Sequence, residues 1–285
     1  MIQRLERLIE KMFFAAALWS MLLVVMMFVF MVILGLPLFR EGRFFQFLIT
    51  PWRPEAGLFG VYPMMIGTAA ISFLGLCFAF PLSLGVASFV STIGPGAAGR
   101  FVKRVVLMMI AVPTVVYAFV AIFLLVPIVQ RVFDTASGMG ILTASIVVAL
   151  LISPTMIFIF ENSFNNVPQS YMNAVEALGG TGVQKLIYVI LPYSWKGIAS
   201  GLILGLGRAM GDTLIALMLA GNAVAIPDSI FESARTLTAH IALVTAADFD
   251  SVEFRTIFAC GILLYLGTSV IILAVRFLAN KGKRA

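Results

Sequence analysis

Arg208 and Asp212 sit inside GLGRAMGDTLIALMLAGN, residues 205–222, an otherwise apolar run. An arginine at the centre of a membrane helix costs about 2.5–3.5 kcal/mol on insertion scales, and an aspartate costs about as much. Residues that costly face a protein interior or a watery cavity. Read as one continuous helix, a spacing of four puts both on one face. In a purely structural reading the two charges bridge each other and help helices assemble, although Arg-then-Asp is the less favoured order for such a pair. In a functional reading Arg208 lines an anion route. Its guanidinium is planar, always charged, and forked to match two oxygens of an oxyanion. Asp212 then holds Arg208 between passages, and Thr213 offers a hydroxyl beside them. We favour the second reading, since an ionisable residue inside a membrane is a functional hypothesis by default. The two are compatible if the bridge opens when the anion arrives.

The elements that must carry these charges are long apolar helices. Of 285 residues, 61% are hydrophobic and 11% charged, with a mean hydropathy of +1.08. That is far on the membrane side of an average soluble chain, at roughly 45–50% apolar and 25% charged. Runs of about 20 apolar residues are needed to span. Candidates are Met12–Leu36, Met64–Val90, Val105–Val129, Gly140–Phe160, Ile198–Gly221 and Thr256–Val275. The expected fold class is an all-α polytopic bundle of about six transmembrane helices. The first run is too long for a cleavable signal and lacks a small-residue cleavage site, so it is expected to remain as an anchor.

Charge sets the orientation. Arg4, Arg7 and Lys11 precede the first span, and Arg100, Lys103 and Arg104 follow the second. Lys185 and Lys196 lie between the fourth and fifth, and Arg276, Lys281, Lys283 and Arg284 end the chain. With alternating spans all fall on one side, the cytoplasm by the positive-inside rule, with both termini there. The net charge of +6 is thus a topology signal rather than a nucleic-acid one. The loop after the fifth span carries Asp228, Glu232, Asp248, Asp250 and Glu253 and reads as external. Within it Ile230, Ala234, Leu237, Ile241 and Val244 recur at helical spacing, predicting an amphipathic external helix that could act as a gate.

Pro81, Pro113, Pro127 and Pro154 fall in the spans, where kinks are tolerated. Gly197, Gly201 and Gly205 recur every fourth residue, a spacing that lets helices approach closely, and mark the fifth span as the most enclosed. Cys77 and Cys260 read as small buried hydrophobes. No phosphate-cradling G-x-x-x-x-G-K-[ST] loop is present. Gly94 to Gly99 match G-x-G-x-x-G without the strand and helix that give it meaning, so the match is chance. His240 is the sole histidine, read as a polar residue of the external loop, so no histidine-based zinc cluster is expected. No nucleophile–base set is visible, so the chain is not expected to be an enzyme, and no cofactor or metal is expected.

The cytoplasmic segment 161–196 is the one long insertion on its side. Pro168-Gln169-Ser170 starts and Gly179-Gly180 ends a helix over 169–178, too short to be stable alone in water. Such a helix projecting from a bundle is a docking element, or else lies on the headgroups. This segment resembles the cytoplasmic coupling loop of ABC transporter permeases, whose pattern is Glu-Ala-Ala, three residues, Gly, nine residues, Ile-x-Leu-Pro. Here Asn173-Ala174-Val175 takes the first position, Gly179 the glycine, and Val189-Ile190-Leu191-Pro192 the last. The departure is Asn173 for glutamate, with Glu176 one turn away.

The resemblance narrows to the phosphate-specific (Pst) branch. Trp52-Arg53-Pro54, Phe59 to Pro63, Gly67-Thr68, Pro81 to Gly85, Pro113 to Tyr117, Pro154-Thr155 and Arg208 to Thr213 follow it in order, with Asp212 for its glutamate. Gly221-Asn222 and Arg235 to Thr238 are more similar to the C-type of its two permeases. The resemblance implies an ABC importer type I permease fold, with an N-terminal anchor and external loop over 1–63 and the transmembrane domain over 64–285. It implies half of the translocation pathway of an ATP-driven phosphate importer in a bacterial inner membrane. The implied partners are an A-type permease, a dimer of ATPase subunits and an external phosphate-binding protein. Arg208, Asp212 and Thr213 are the expected pathway residues. Asn173, Ala174, Glu176, Gly179, Leu191 and Pro192 are those expected at the ATPase. Alternatives are the same architecture carrying molybdate, tungstate or sulfate, and an ATPase-independent anion transporter.

Overall fold

The computed structural model describes residues 2–40, 44–94, 96–249 and 251–281. Pro95, Asp250, Lys283 and Arg284 lie outside it, as do the side chains of Arg4, Arg276 and Lys281. The chain folds as an α-helical bundle. Among the described residues five helices are long and apolar enough to span, and a sixth span arises if one bent pair counts as one.

The first helix, α1 (Ile2–Arg40), exposes almost all of its apolar length and touches the rest along one edge. The short α2 (Phe44–Ile49) and a two-stranded ribbon, β1 (Trp52–Arg53) with β2 (Leu58–Phe59), lead to α3 (Tyr62–Ser88). A π-type turn over Phe89–Ile93 prolongs α3. The third span begins later than its hydropathy suggests. Residues 97–111 form a separate helix, α4 (Ala97–Ala111), carrying Arg100, Lys103 and Arg104, and α5 is Thr114–Val132. Pro113 causes the break: it donates no backbone hydrogen bond and biases Val112 to extended geometry, here φ −72° and ψ 126°. Tyr117 bridges the break, its hydroxyl donating to the Met109 carbonyl at 2.9 Å.

Next come α6 (Ile141–Asn165), α7 (Gln169–Ala177), α8 (Gly182–Lys185), a π-type turn over Leu186–Ile190, and the one-turn α9 (Leu191–Tyr193). The chain then bends by 71° into α10 (Trp195–Met210). The fifth span does not run on to Gly221. It stops at Met210 and restarts as α11 (Leu214–Leu219), followed by α12 (Leu237–Val244) and α13 (Val252–Lys281).

The most enclosed helix is α6, not the fifth span: 78% of its apolar window is buried within the chain. It is apolar all round because α3, α4, α5, α10 and α11 all pack on it. The glycine stripe of α10 serves that packing. A Cβ on Gly201 would lie 2.5 Å from Phe160, and one on Gly205 would lie 2.7 Å from the Met156 sulfur. Hydroxyls tie α3 to α6, with Ser145 donating to the Ile71 carbonyl and Ser83 to the Ser153 carbonyl, each at 3.3 Å. Cys260 is buried, as expected, whereas Cys77 is exposed on the outside of α3.

The segment expected to be external is less helical than its periodicity suggests. Only Leu237–Val244 is helical, and residues 229–236 form a strap whose backbone is used elsewhere. The Ile230 and Glu232 carbonyls accept from Leu142 at 2.8 Å and Ile141 at 3.0 Å, satisfying N–H groups that open α6. Ala234 N donates to the Ala220 carbonyl at 2.8 Å, and Leu237 N to the Thr68 hydroxyl at 2.9 Å. These pairings spread the apolar positions over several neighbours instead of one helix face.

Candidate functional site

Arg208, Asp212 and Thr213 line one pocket of about 330 Å³ with Thr114, Leu151, Gly211 and Leu214. The break in the fifth span creates it. Gly211 caps α10, and Asp212 follows outside the helix. The Asp212 carboxylate accepts from the backbone N–H of Ile215 at 2.9 Å and of Ala216 at 3.3 Å, so it caps α11. Aspartate favours that role over a helix interior because its short side chain reaches orphan N–H groups. Its backbone carbonyl accepts from the Thr238 hydroxyl at 2.6 Å, which ties the break to α12.

This geometry corrects the expectation of a shared helix face. Arg208 belongs to α10 and Asp212 to the cap of the next helix, and among the described residues they form no ion pair. Arg208 instead donates from Nη1 to the Thr155 hydroxyl of α6 at 2.9 Å. One fork of the guanidinium is held by a neutral hydroxyl, in a site that also presents the Thr114 and Thr213 side chains. Such a cluster offers a fixed positive charge and hydroxyls around it, the chemistry of a transient anion contact. Thr155, Thr114 and Thr238 were not among the expected site residues. The signal for the first two was a hydroxyl directly after a proline, Pro154 inside α6 and Pro113 at the break before α5.

The second group of expected residues lies far from the pocket, across the length of α10, 16 residues or about 24 Å. Asn173, Ala174 and Glu176 are exposed on α7. The Asn173 side chain accepts from Gln169 at 3.1 Å, and Glu176 is ion-paired with Lys185, folding α7 against α8. Gly179 closes α7 with φ +73°, the left-handed geometry that glycine adopts without penalty. Thr181 and Gln184 form a reciprocal capping box that starts α8. Leu191 is half-buried and Pro192 exposed in α9. Leu178 stands 88% exposed beside Gly179, and Tyr171 and Tyr193 stack at 6.1 Å nearby.

His240 departs most from its expected setting. It is fully buried on α12, edge-on to Trp52 at 4.4 Å, with no protein partner for either ring nitrogen. Burial, and then the charge of Arg235, lower its pKa to about 4, so the ring is neutral at pH 7. Among the described residues no group of histidine, cysteine or carboxylate side chains could hold a metal.

A half-buried guanidinium near a helix break that opens onto a pocket suits a membrane-embedded subunit that passes a polar solute. Residues 79–284 match the family described as binding-protein-dependent transport system inner membrane component. The chain belongs to that family, the permease subunits of ABC importers, and is a multi-pass inner-membrane protein that is not itself catalytic. It is 30% identical over 235 residues to the probable ABC transporter permease protein YqgH of Bacillus subtilis, covering 81% of this chain and 76% of that one. It is 29% identical to the phosphate transport system permease protein PstC of Pasteurella multocida, covering 80% and 77%. These relatives bear out the resemblance to C-type phosphate-specific permeases. The fold matches solved importers. A chain of a bacterial alginate ABC transporter superposes with TM-score 0.61 over 96% of this chain and 99% of its own, at 16% identity. A chain of the MetNI methionine transporter superposes with TM-score 0.57 over 76% and 94%, at 19% identity.

Proposed function

We propose that this chain is the C-type permease of an ATP-driven phosphate importer, with Arg208 as the fixed charge of the pathway. The carrying observation is the state of Arg208. Its guanidinium lines the pocket, is held by Thr155, and among the described residues forms no ion pair with Asp212, which lines the same pocket. Relatives named as PstC at 25–29% identity support phosphate as the anion. Asp212 and Thr213 shape the pocket, Asp212 by holding α11 in place. ATP is hydrolysed on a partner dimer, which docks at α7 through Asn173, Ala174 and Glu176, with Gly179, Leu191 and Pro192 fixing the turn and the bend into α10. Both termini face that side. An external binding protein delivers phosphate, and an A-type permease completes the pathway.

The test is uptake of radiolabelled phosphate into proteoliposomes holding the whole complex. Arg208→Gln is expected to reduce uptake at least tenfold while leaving assembly with the ATPase intact. Unlabelled phosphate is expected to compete, and sulfate and molybdate are not. Competition by one of those anions alone would reassign the substrate. Uptake without the ATPase would remove the coupling reading.

A further inference from the structure

Arg235 lies in the external strap, outside the spans, half-buried and without a carboxylate. Its Nε donates to the Asn222 carbonyl at 3.0 Å, which fixes the plane of the guanidinium. Among the described residues neither Nη atom has a protein acceptor and no carboxylate pairs with the group. Four of its five N–H donors are therefore idle. Glu232, the acidic residue nearest in sequence, is turned elsewhere: its carboxylate accepts from the Asp228 backbone at 2.7 Å.

The position is fixed from two sides. The Arg235 carbonyl abuts Gly67, where any Cβ would collide with it. Gly67 is five residues into α3, about 7.5 Å along the helix axis from Tyr62. On the other side Thr238, three residues on, donates to the Asp212 carbonyl at the edge of the Arg208 pocket. Three residues of chain span at most about 11 Å. The Arg235 backbone thus lies within about 11 Å of the residue that touches the pocket's edge, in a strap pinned to α3, α6 and α11.

We propose that Arg235 is a second anion contact, outside Arg208, which takes the tetrahedral oxyanion first and passes it inward. This rests on the phosphate-permease reading above. Two pre-positioned guanidinium groups in series, neither ion-paired with a carboxylate among the described residues, lower the desolvation cost of the anion in two steps instead of one. The outer one sets how readily dilute substrate is taken; the inner one sets whether it crosses.

The experiment uses the complete complex in proteoliposomes, with external phosphate varied. Arg235→Gln is expected to raise the half-saturating phosphate concentration about tenfold, the loss of one charge-assisted contact. Maximal uptake is expected to stay within about twofold, ATP hydrolysis without phosphate is expected to be unchanged, and Arg235→Lys should recover most of the effect. Unaltered half-saturation in Arg235→Gln, alongside lost uptake in Arg208→Gln, would overturn the outer contact and leave the pathway reading standing. Normal uptake in Arg208→Gln would remove the pathway reading itself. If Arg235→Gln lowers maximal uptake and thermal stability together, and Arg235→Lys does the same, Arg235 only braces the strap and the proposal fails.

Discussion

The Lys103 ammonium lies 2.6 Å from the Glu161 carboxylate, joining α4 to the last turns of α6. Glu161 is almost wholly buried, its side chain 8% exposed, while Lys103 is about half exposed. Removing the lysine therefore strands a buried charge, whereas removing both charges does not. Lys103→Met is expected to destabilise by about 1–3 kcal/mol, at the low end because the lysine is partly solvated. Lys103→Met with Glu161→Leu should regain most of it. Thermal unfolding of the purified protein in detergent checks both.

The glycine stripe of α10 makes a prediction that distinguishes close approach from flexibility. Gly201 has Phe160 against it and Gly205 has Met156, but Gly207 has nothing within 4 Å of a would-be Cβ. Gly201→Val is expected to prevent α10 from seating on α6, with loss of monodisperse protein on size exclusion. Gly205→Ala should cost less, since the methionine side chain bends away. Gly207→Ala should leave yield and melting temperature unchanged or slightly raised, because alanine favours a helix.

These two cases show which parts of the fold were legible. Span number and the α7 helix follow from hydropathy, glycine and proline, which act locally. The helix breaks at Val112 and at Gly211 to Thr213 lie within apolar runs, where hydropathy sees no change. The break at Val112 was signalled only by Pro113. At the second, a four-residue spacing suggested an Arg208–Asp212 pair, but Asp212 had an alternative partner in its own downstream backbone. The strap was misread because apolar residues at helical spacing can also be buried one by one against α3, α6 and α11. His240 was misread because a single polar residue carries no pattern, and its burial depends on Trp52, nearly 190 residues earlier in the chain.

Among the described residues no protein group partners either ring nitrogen of buried His240, and a buried polar group without a protein partner costs stability. His240→Phe is expected to raise stability at pH 7 by about 1 kcal/mol. Acid adds a second effect. The folded pKa of about 4 lies below the ordinary 6.5, so the unfolded chain binds the proton more readily. The proton-linked penalty is absent above about pH 6.5 and grows as pH falls toward about 4, so stability drops across that window. Arg235 is the charge that opposes protonation there. Melting temperatures at pH 7 and pH 5 should differ less in His240→Phe than in the parent.

Gly179 tests the proposed docking segment without touching its exposed side chains. Its φ of +73° is open to glycine and tolerable to asparagine, but strained for a β-branched residue. Nothing lies within 4 Å of a would-be Cβ, so the strain is purely in the backbone. Gly179→Val is expected to cost about 1–2 kcal/mol locally and to loosen the turn after α7. Co-purification with the ATPase should fall, while the melting temperature of the isolated permease should hardly move. Gly179→Asn should retain the partner.

Asp212 separates capping from charge pairing. If its role were to neutralise Arg208, loss of the negative charge would matter most, and asparagine and alanine would be equally damaging. The carboxylate instead accepts from Ile215 and Ala216, and an asparagine carbonyl can accept the same two bonds. Asp212→Asn is therefore expected to keep the melting temperature near that of the parent. Asp212→Ala should lower stability by about 1 kcal/mol, the usual worth of a helix cap, and free α11 to shift. Amide exchange at Ile215 and Ala216 gives the local readout: faster in Asp212→Ala and nearly unchanged in Asp212→Asn. Equal exchange in the two variants would assign Asp212 to Arg208 after all.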